Sequence, residues 1–68
     1  MIYGDFPDWA LSLAGLRYRE KLTQKELGDL IGIKQSNISL MEKGKRRIGK
    51  DVAKRLANVF NTDYRKFL

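Results

Sequence analysis

Apolar residues recur at spacings of three and four along most of the chain, which is the period of amphipathic helices. The first such run spans residues 5–21 and places Trp9 and Leu13 on one side. We expect Asp5 to cap this helix and Pro7 to lie in its first turn, where the missing amide hydrogen is tolerated. No stretch alternates polar and apolar residues with a period of two, so the pattern predicts an all-α fold.

A capping motif marks the start of a second helix. Thr23 is followed three positions later by Glu26, the spacing at which the hydroxyl and the carboxylate each accept a hydrogen bond from the other residue's backbone amide. Gly32 is expected to end this helix in the left-handed conformation. The residues expected to be buried from it are Leu27, Leu30 and Ile31.

A third helix is predicted over residues 35–43, with Gly44 ending it. The side chains expected to point inward, against the second helix, are Ile38 and Met41, and Glu42 shares their face of the helix. The opposite side carries short groups that both donate and accept hydrogen bonds, namely Gln35, Ser36, Asn37 and Ser39. A face meant only for solvation would usually carry Glu and Lys, whereas this face suits the base-pair edges of the DNA major groove.

A fourth helix is predicted over residues 50–60, followed by a short helical turn in the segment DYRKFL. The residues expected in the core from these segments are Val52, Ala53, Leu56, Phe60, Tyr64, Phe67 and Leu68. The segments together predict a single domain over residues 1–68, in which residues 1–6 form a flexible or loosely packed N-terminal arm.

Charge strengthens the case for a polyanionic partner. The sequence contains 14 Lys and Arg against 8 Asp and Glu, a net charge of +6, and its pI is about 9.9. This pI exceeds the value of about 9 that is typical of nucleic-acid-binding domains. Basic residues also crowd into one loop after the third helix. Such a cluster favours a nucleic acid over an anionic membrane surface.

The residue types that are missing exclude other classes of function. The chain has no Cys and no His, so the commonest zinc ligands and the commonest general base are both absent. We therefore expect no metal, no cofactor and no enzymatic activity. No apolar run approaches the ~20 residues of a membrane span, and MIYGDFPDW does not resemble a secretory signal. These features predict a cytoplasmic protein associated with the nucleoid.

The run TQKELGDLIGIKQSNISLMEKGKR resembles the helix-turn-helix of the Cro and phage-repressor type, the XRE family. Thr-Gln opens one helix, a Gly follows in the turn, and Ile-Ser and Glu-x-Gly with a basic tail come next. Upstream RYREKL and downstream AKRLANVF fit the first and fourth helices of that family. The resemblance implies a compact, lambda-repressor-like bundle of about five helices that binds operator DNA and regulates transcription.

The resemblance also implies roles for individual residues. Base reading is expected of Gln35, Ser36, Ser39 and Leu40. Phosphate binding is expected of Gln24 and Asn37 and, from their position in or just before the basic loop, of Lys43, Lys45, Arg46 and Arg47. Arg17 and Glu42 match a buried ion pair that joins the first helix to the third, and Gln24 would also brace Gln35.

Several positions leave alternatives open. Leu40 stands where a polar residue is usual, Lys34 where a Ser or Thr cap is common, and Gly28 where a small alanine is usual. Ser36 is as consistent with a solvated helix face as with base contact, and so is Ser39. We interpret Trp9 and Tyr18 as core or covering residues rather than as stacking platforms.

Two functional hypotheses follow. The first is a sequence-specific regulator of double-stranded DNA, expected to be a repressor that binds a palindromic operator as a homodimer, with its reading helices ~34 Å apart. Candidate dimer contacts are Tyr3, Phe6 and Tyr64. The alternative is an antitoxin-type interaction module that binds a small toxin and autoregulates its operon, with Leu40 and the segment MIYGDFPDW as protein-contacting surface.

Overall fold

A computed structural model describes residues 6–68 as a helical bundle. Its elements are α1 (Asp8–Arg19), α2 (Gln24–Ile31), α3 (Gln35–Glu42), α4 (Lys50–Phe60) and a C-terminal 3₁₀-helix (Tyr64–Phe67). The described residues contain no strand, so the predicted all-α class is confirmed. The expected count of about five helices is slightly high, because the last segment forms a single 3₁₀ turn rather than an α-helix.

The ends of α1 differ from those predicted. The helix begins after Pro7, which has an extended backbone and makes no side-chain cap, and the predicted cap Asp5 lies outside the described residues. At the other end, Lys21 adopts a left-handed φ of 57°, and the Leu22 amide donates back to the carbonyl of Arg17 over 3.1 Å. This reversal ends α1 at Arg19 rather than at about residue 21.

The predicted capping motif at the start of α2 is present. The Glu26 amide donates to Thr23 Oγ1 over 3.0 Å, and the Thr23 amide donates to Glu26 Oε1 over 2.8 Å. These bonds from Thr23, led by the one from its backbone amide, lower the pKa of the Glu26 carboxyl below its ordinary value. Gly32, with a φ of 73°, ends the helix as predicted.

One apolar core joins all five elements. Its buried members are Leu13, Leu27, Ile31, Ile38, Met41, Ile48, Ala53, Leu56, Ala57, Phe60 and Phe67. Within the described residues, no helix is long and apolar enough to cross a membrane.

The predicted burial of two residues is wrong. Leu30 is 61% exposed, because α3 begins close against Gly28 and so turns that side of α2 inward, which leaves Leu30 on the far side. Leu68 is 42% exposed, because a 3₁₀-helix aligns residues three apart and therefore directs Phe67 inward and its neighbour outward. Val52 and Tyr64 are half-buried rather than buried.

Replacing Gly28 with alanine is expected to lower the free energy of unfolding by about 1–3 kcal/mol. The added Cβ would meet the carbonyl oxygen of Ile33 inside van der Waals contact, and that carbonyl belongs to the turn leading into α3. Urea denaturation measures the change. Gly15→Ala is the matched control, because its added Cβ meets nothing within 4 Å, and it should stabilise the protein by about 0.4–1 kcal/mol. Equal stabilisation by both substitutions would contradict the close approach at Gly28.

Candidate nucleic-acid interface

The structure fixes the orientation of α3. Ile38 is fully buried and Met41 is 4% exposed, both within the core, as the sequence predicted. The opposite side of the helix faces outward. Its exposed residues are Gln35, Ser36, Leu40 and Lys43, and Asn37 and Ser39 are half-buried beside them. The base-reading set expected from the sequence therefore lies on one accessible face of one helix.

The turn between α2 and α3 is held by backbone contacts and by one arginine. The Ile33 amide donates to the carbonyl of Gly28 over 2.9 Å, and Lys34 precedes α3 without a side-chain cap. Arg55 of α4 donates to the carbonyl of Ile31 over 3.1 Å at the end of α2. Sequence reasoning missed this arginine, because nothing in the pattern of α4 indicates which carbonyl it reaches.

A buried ion pair connects α1 to the end of α3. Arg17 Nε lies 2.5 Å from Glu42 Oε2 and its Nη2 lies 2.9 Å from Oε1, and the two side chains are 8% and 9% exposed. A further guanidinium hydrogen bond reaches the carbonyl of Leu22 over 2.9 Å. The hydrogen bonds with Glu42 raise the pKa of the Arg17 guanidinium, which stays charged. This bidentate pair joins α1 to the C-terminal end of α3.

Gln24 joins the same network. Its Nε2 donates to Glu42 Oε1 over 3.1 Å, so the amide is directed towards α3 at Glu42 rather than at Gln35. Both oxygens of Glu42 therefore accept hydrogen bonds from charged or polar side chains. The start of α2 is thereby attached to the end of α3.

The basic loop after α3 is anchored at three points. Gly44 has a φ of 74° and packs against the ring of Pro7, and the Lys45 amide donates to the carbonyl of Leu40 over 2.9 Å. Ile48, which is 2% exposed, inserts into the core. A single apolar residue among KRRIGK was the available sequence signal for this anchor.

The basic residues of the loop point in different directions. Lys45 and Arg46 are exposed. Arg47 instead donates to the main-chain oxygen of Leu68 over 3.1 Å, and its guanidinium carbon lies 5.4 Å from the centre of the Trp9 ring. The structure thus places Arg47, which is exposed like Lys45 and Arg46, against the start of α1 and the C-terminal segment.

The outward face of α3 and the basic residues that follow it can present hydrogen-bonding groups and positive charge to a polyanion. In residues 6–68, no group of three or more His, Cys, Asp or Glu is arranged to hold a metal ion. The helix pair α2 and α3, joined by a glycine turn and packed on each other, defines a helix-turn-helix protein.

Comparison with known proteins identifies the family. A helix-turn-helix family model matches residues 16–67, and the chain belongs to this family, the XRE-type DNA-binding transcription regulators, which are not enzymes. No curated protein matches the chain in sequence. The fold is similar to the crystal structure of the restriction-modification controller protein C.AhdI from Aeromonas hydrophila. That comparison gives 26% identity and a TM-score of 0.82, and it covers 97% of this chain and 100% of the other. The predicted resemblance is confirmed.

Proposed function

We propose that the protein is a repressor that binds a palindromic operator as a homodimer and reads bases with α3 in the major groove. The observation that carries this proposal is the orientation of α3, with Ile38 and Met41 inside and the polar face outside. The similar protein C.AhdI is a restriction-modification controller, which supports a regulatory role. We further propose that the protein acts in the cytoplasm at the nucleoid.

The proposed base-reading residues are Gln35, Ser36, Ser39 and Leu40. The proposed phosphate ligands are Gln24, Asn37, Lys43, Lys45 and Arg46. We propose a different role for Arg47, because its guanidinium already contacts Trp9 and the main-chain oxygen of Leu68. We assign it to anchoring the loop that presents Lys45 and Arg46.

Selection of bound duplexes from a randomised DNA pool tests the proposal. At moderate salt, we expect enrichment of one palindromic sequence whose half-sites lie about one helical turn, ~34 Å, apart. Enrichment of a single half-site would contradict the proposed homodimer but would still support base reading by α3. A pool with no enriched sequence would remove the proposed function altogether.

Gln35→Ala is expected to relax preference at one base position and to weaken binding to the selected site by about 1–3 kcal/mol. The reason is that a glutamine amide at the start of α3 can bond both major-groove groups of an adenine. Fluorescence anisotropy on the selected and on a scrambled duplex measures the effect. An equal loss on both duplexes would show that Gln35 does not read a base.

Arg46→Ala is expected to weaken binding to all duplexes and to lower the slope of log K against log salt by ~0.9. Arg47→Ala, which removes the same charge one position later, should leave this slope nearly unchanged. It should also alter the emission of Trp9, the single tryptophan of the chain, whereas Arg46→Ala should not. The roles would be reversed if Arg47→Ala lowered the salt slope and Arg46→Ala changed the Trp9 emission. Arg47 would then contact phosphates, and Arg46 would anchor the loop.

An antitoxin role remains the second candidate. It is favoured by large apolar side chains at the surface, since Tyr18 is 71%, Leu30 61% and Leu40 38% exposed. In this case the protein would co-purify with a small toxin encoded by an adjacent reading frame. An adjacent methyltransferase and endonuclease would instead favour a restriction-modification controller. Of the proposed dimer contacts, Phe6 and Tyr64 are half-buried and Tyr3 lies outside the described residues.

A further inference from the structure

A cleft of about 280 Å³ separates α1 from α3. Leu11, Ala14 and Tyr18 line it from α1, with Phe6 just before that helix, and Ser39 and Lys43 line it from α3 and its C-cap. Gln24, at the start of α2, also borders the cleft. The cleft therefore lies along one flank of the helix to which we assign base reading.

Tyr18 is the most exposed large apolar side chain among the described residues, at 71%. The guanidinium carbon of Arg17 lies 4.4 Å from the centre of its ring. Arg17 is itself fixed by its bonds to Glu42. This contact restricts the ring on one side, which lowers the conformational entropy that it loses on binding, and Tyr18 lines the cleft.

The other polar residues of the cleft indicate what would approach the phenol. Ser39 and Lys43 are four residues apart on α3 and share the flank bordered by Gln24, and all three belong to the proposed DNA contacts. Lys43 supplies positive charge at this flank. The one acidic lining residue, Glu42, is already compensated by Arg17 and Gln24.

We infer that Tyr18 is a DNA-binding residue whose hydroxyl donates a hydrogen bond to a backbone phosphate on the Gln24 side of α3, with the adjoining deoxyribose packed against its ring. The inference rests on the proposed function, since it places α3 in the major groove. A neutral hydroxyl is a common phosphate donor in protein–DNA complexes and carries no sequence information. The contact would extend the interface from α2 and α3 onto α1.

The test compares wild type with Tyr18→Phe and Tyr18→Ala on the selected and on a scrambled duplex. We expect Tyr18→Phe to weaken both complexes by about ten- to a hundredfold, because one hydrogen bond to a charged group is lost. The salt slope should not change, since tyrosine carries no charge, whereas Lys43→Ala should lower it by ~0.9. Ser12→Ala, which removes a hydroxyl from α1 outside the cleft, should bind as wild type does.

A second measurement locates the contact. In this experiment, single methylphosphonate linkages replace the phosphates of the selected half-site one at a time. At one position, the replacement should weaken DNA binding by wild type. At that same position, it should cause little further loss of affinity in Tyr18→Phe. Three outcomes would overturn the inference: wild-type affinity in Tyr18→Phe, a loss confined to the selected sequence, or additive losses at every linkage. If wild type itself selects no sequence, the proposed function fails first and separately.

Discussion

Glu42→Ala is expected to lower the free energy of unfolding by about 3–5 kcal/mol, because it leaves the Arg17 guanidinium buried without its partner. Of its present hydrogen bonds, Arg17 would keep only the one to the Leu22 carbonyl, and Gln24 would also lose its acceptor. Domains are commonly stable by only about 5–15 kcal/mol, and one this small is near the lower end. Urea denaturation at neutral pH should therefore show a protein that is already partly unfolded before urea is added.

A double variant separates the cost of an unpaired charge from the value of the pair. Replacing both residues with apolar ones of similar size, Arg17→Met with Glu42→Leu, should restore most of the stability lost in Glu42→Ala. A loss of less than about 1 kcal/mol in Glu42→Ala would contradict the burial of the pair, because an exposed ion pair is worth about that much or less.

Ile38→Ala is expected to lower the free energy of unfolding by about 2–5 kcal/mol. Ile38 is fully buried and belongs to the core cluster, so the substitution leaves a cavity beneath α3. An isolated helix of this length is marginal in water, so α3 depends on such packing. Binding to the selected duplex should weaken as well, because a less firmly held α3 presents its polar face less reproducibly.

Leu40→Ala is the matched control on the same helix. Leu40 is 38% exposed on the outward face, so its removal should change the free energy of unfolding by less than about 0.5 kcal/mol. Any effect on DNA binding should then appear without a loss of stability. A larger loss of stability for Leu40→Ala than for Ile38→Ala would mean that α3 is turned the other way.

The features that the sequence predicted best are those set by a few neighbouring residues. The hydrogen bonds between Thr23 and Glu26, the left-handed Gly32, and both ends of α4 appear in the structure as predicted. Capping and glycine reversals depend on backbone groups within one turn of the chain, so their signal is local. The inward and outward faces of α3 follow from period alone for the same reason.

The features that were missed depend on contacts between distant segments. The spacing of apolar residues alone predicted that Leu30 is buried. The close approach of α3 at Gly28 determines which side of α2 is covered. Arg55 donates to a carbonyl 24 residues away in the sequence, and Ile48 enters the core from a basic loop. The residues next to them in the sequence predict neither contact.

The candidate site shows the same division. The pairing of Arg17 with Glu42, 25 residues apart, came from the family resemblance, because period alone does not select partners on different helices. The direction of Arg47 towards Trp9 and the exposure of Tyr18 became visible only with the packing of α1. Sequence therefore supplied candidate residues, and the structure shows which contacts each of them makes.

The most direct test of the central claim replaces purines of the selected operator, one at a time, with their 7-deaza analogues. This change removes the N7 acceptor from the major groove and leaves the phosphates and the minor groove intact. If α3 reads base edges, wild type should lose affinity at one or a few purines of each half-site, and Gln35→Ala should become insensitive at one of them. Undiminished binding by wild type at every substituted position would contradict major-groove reading by α3.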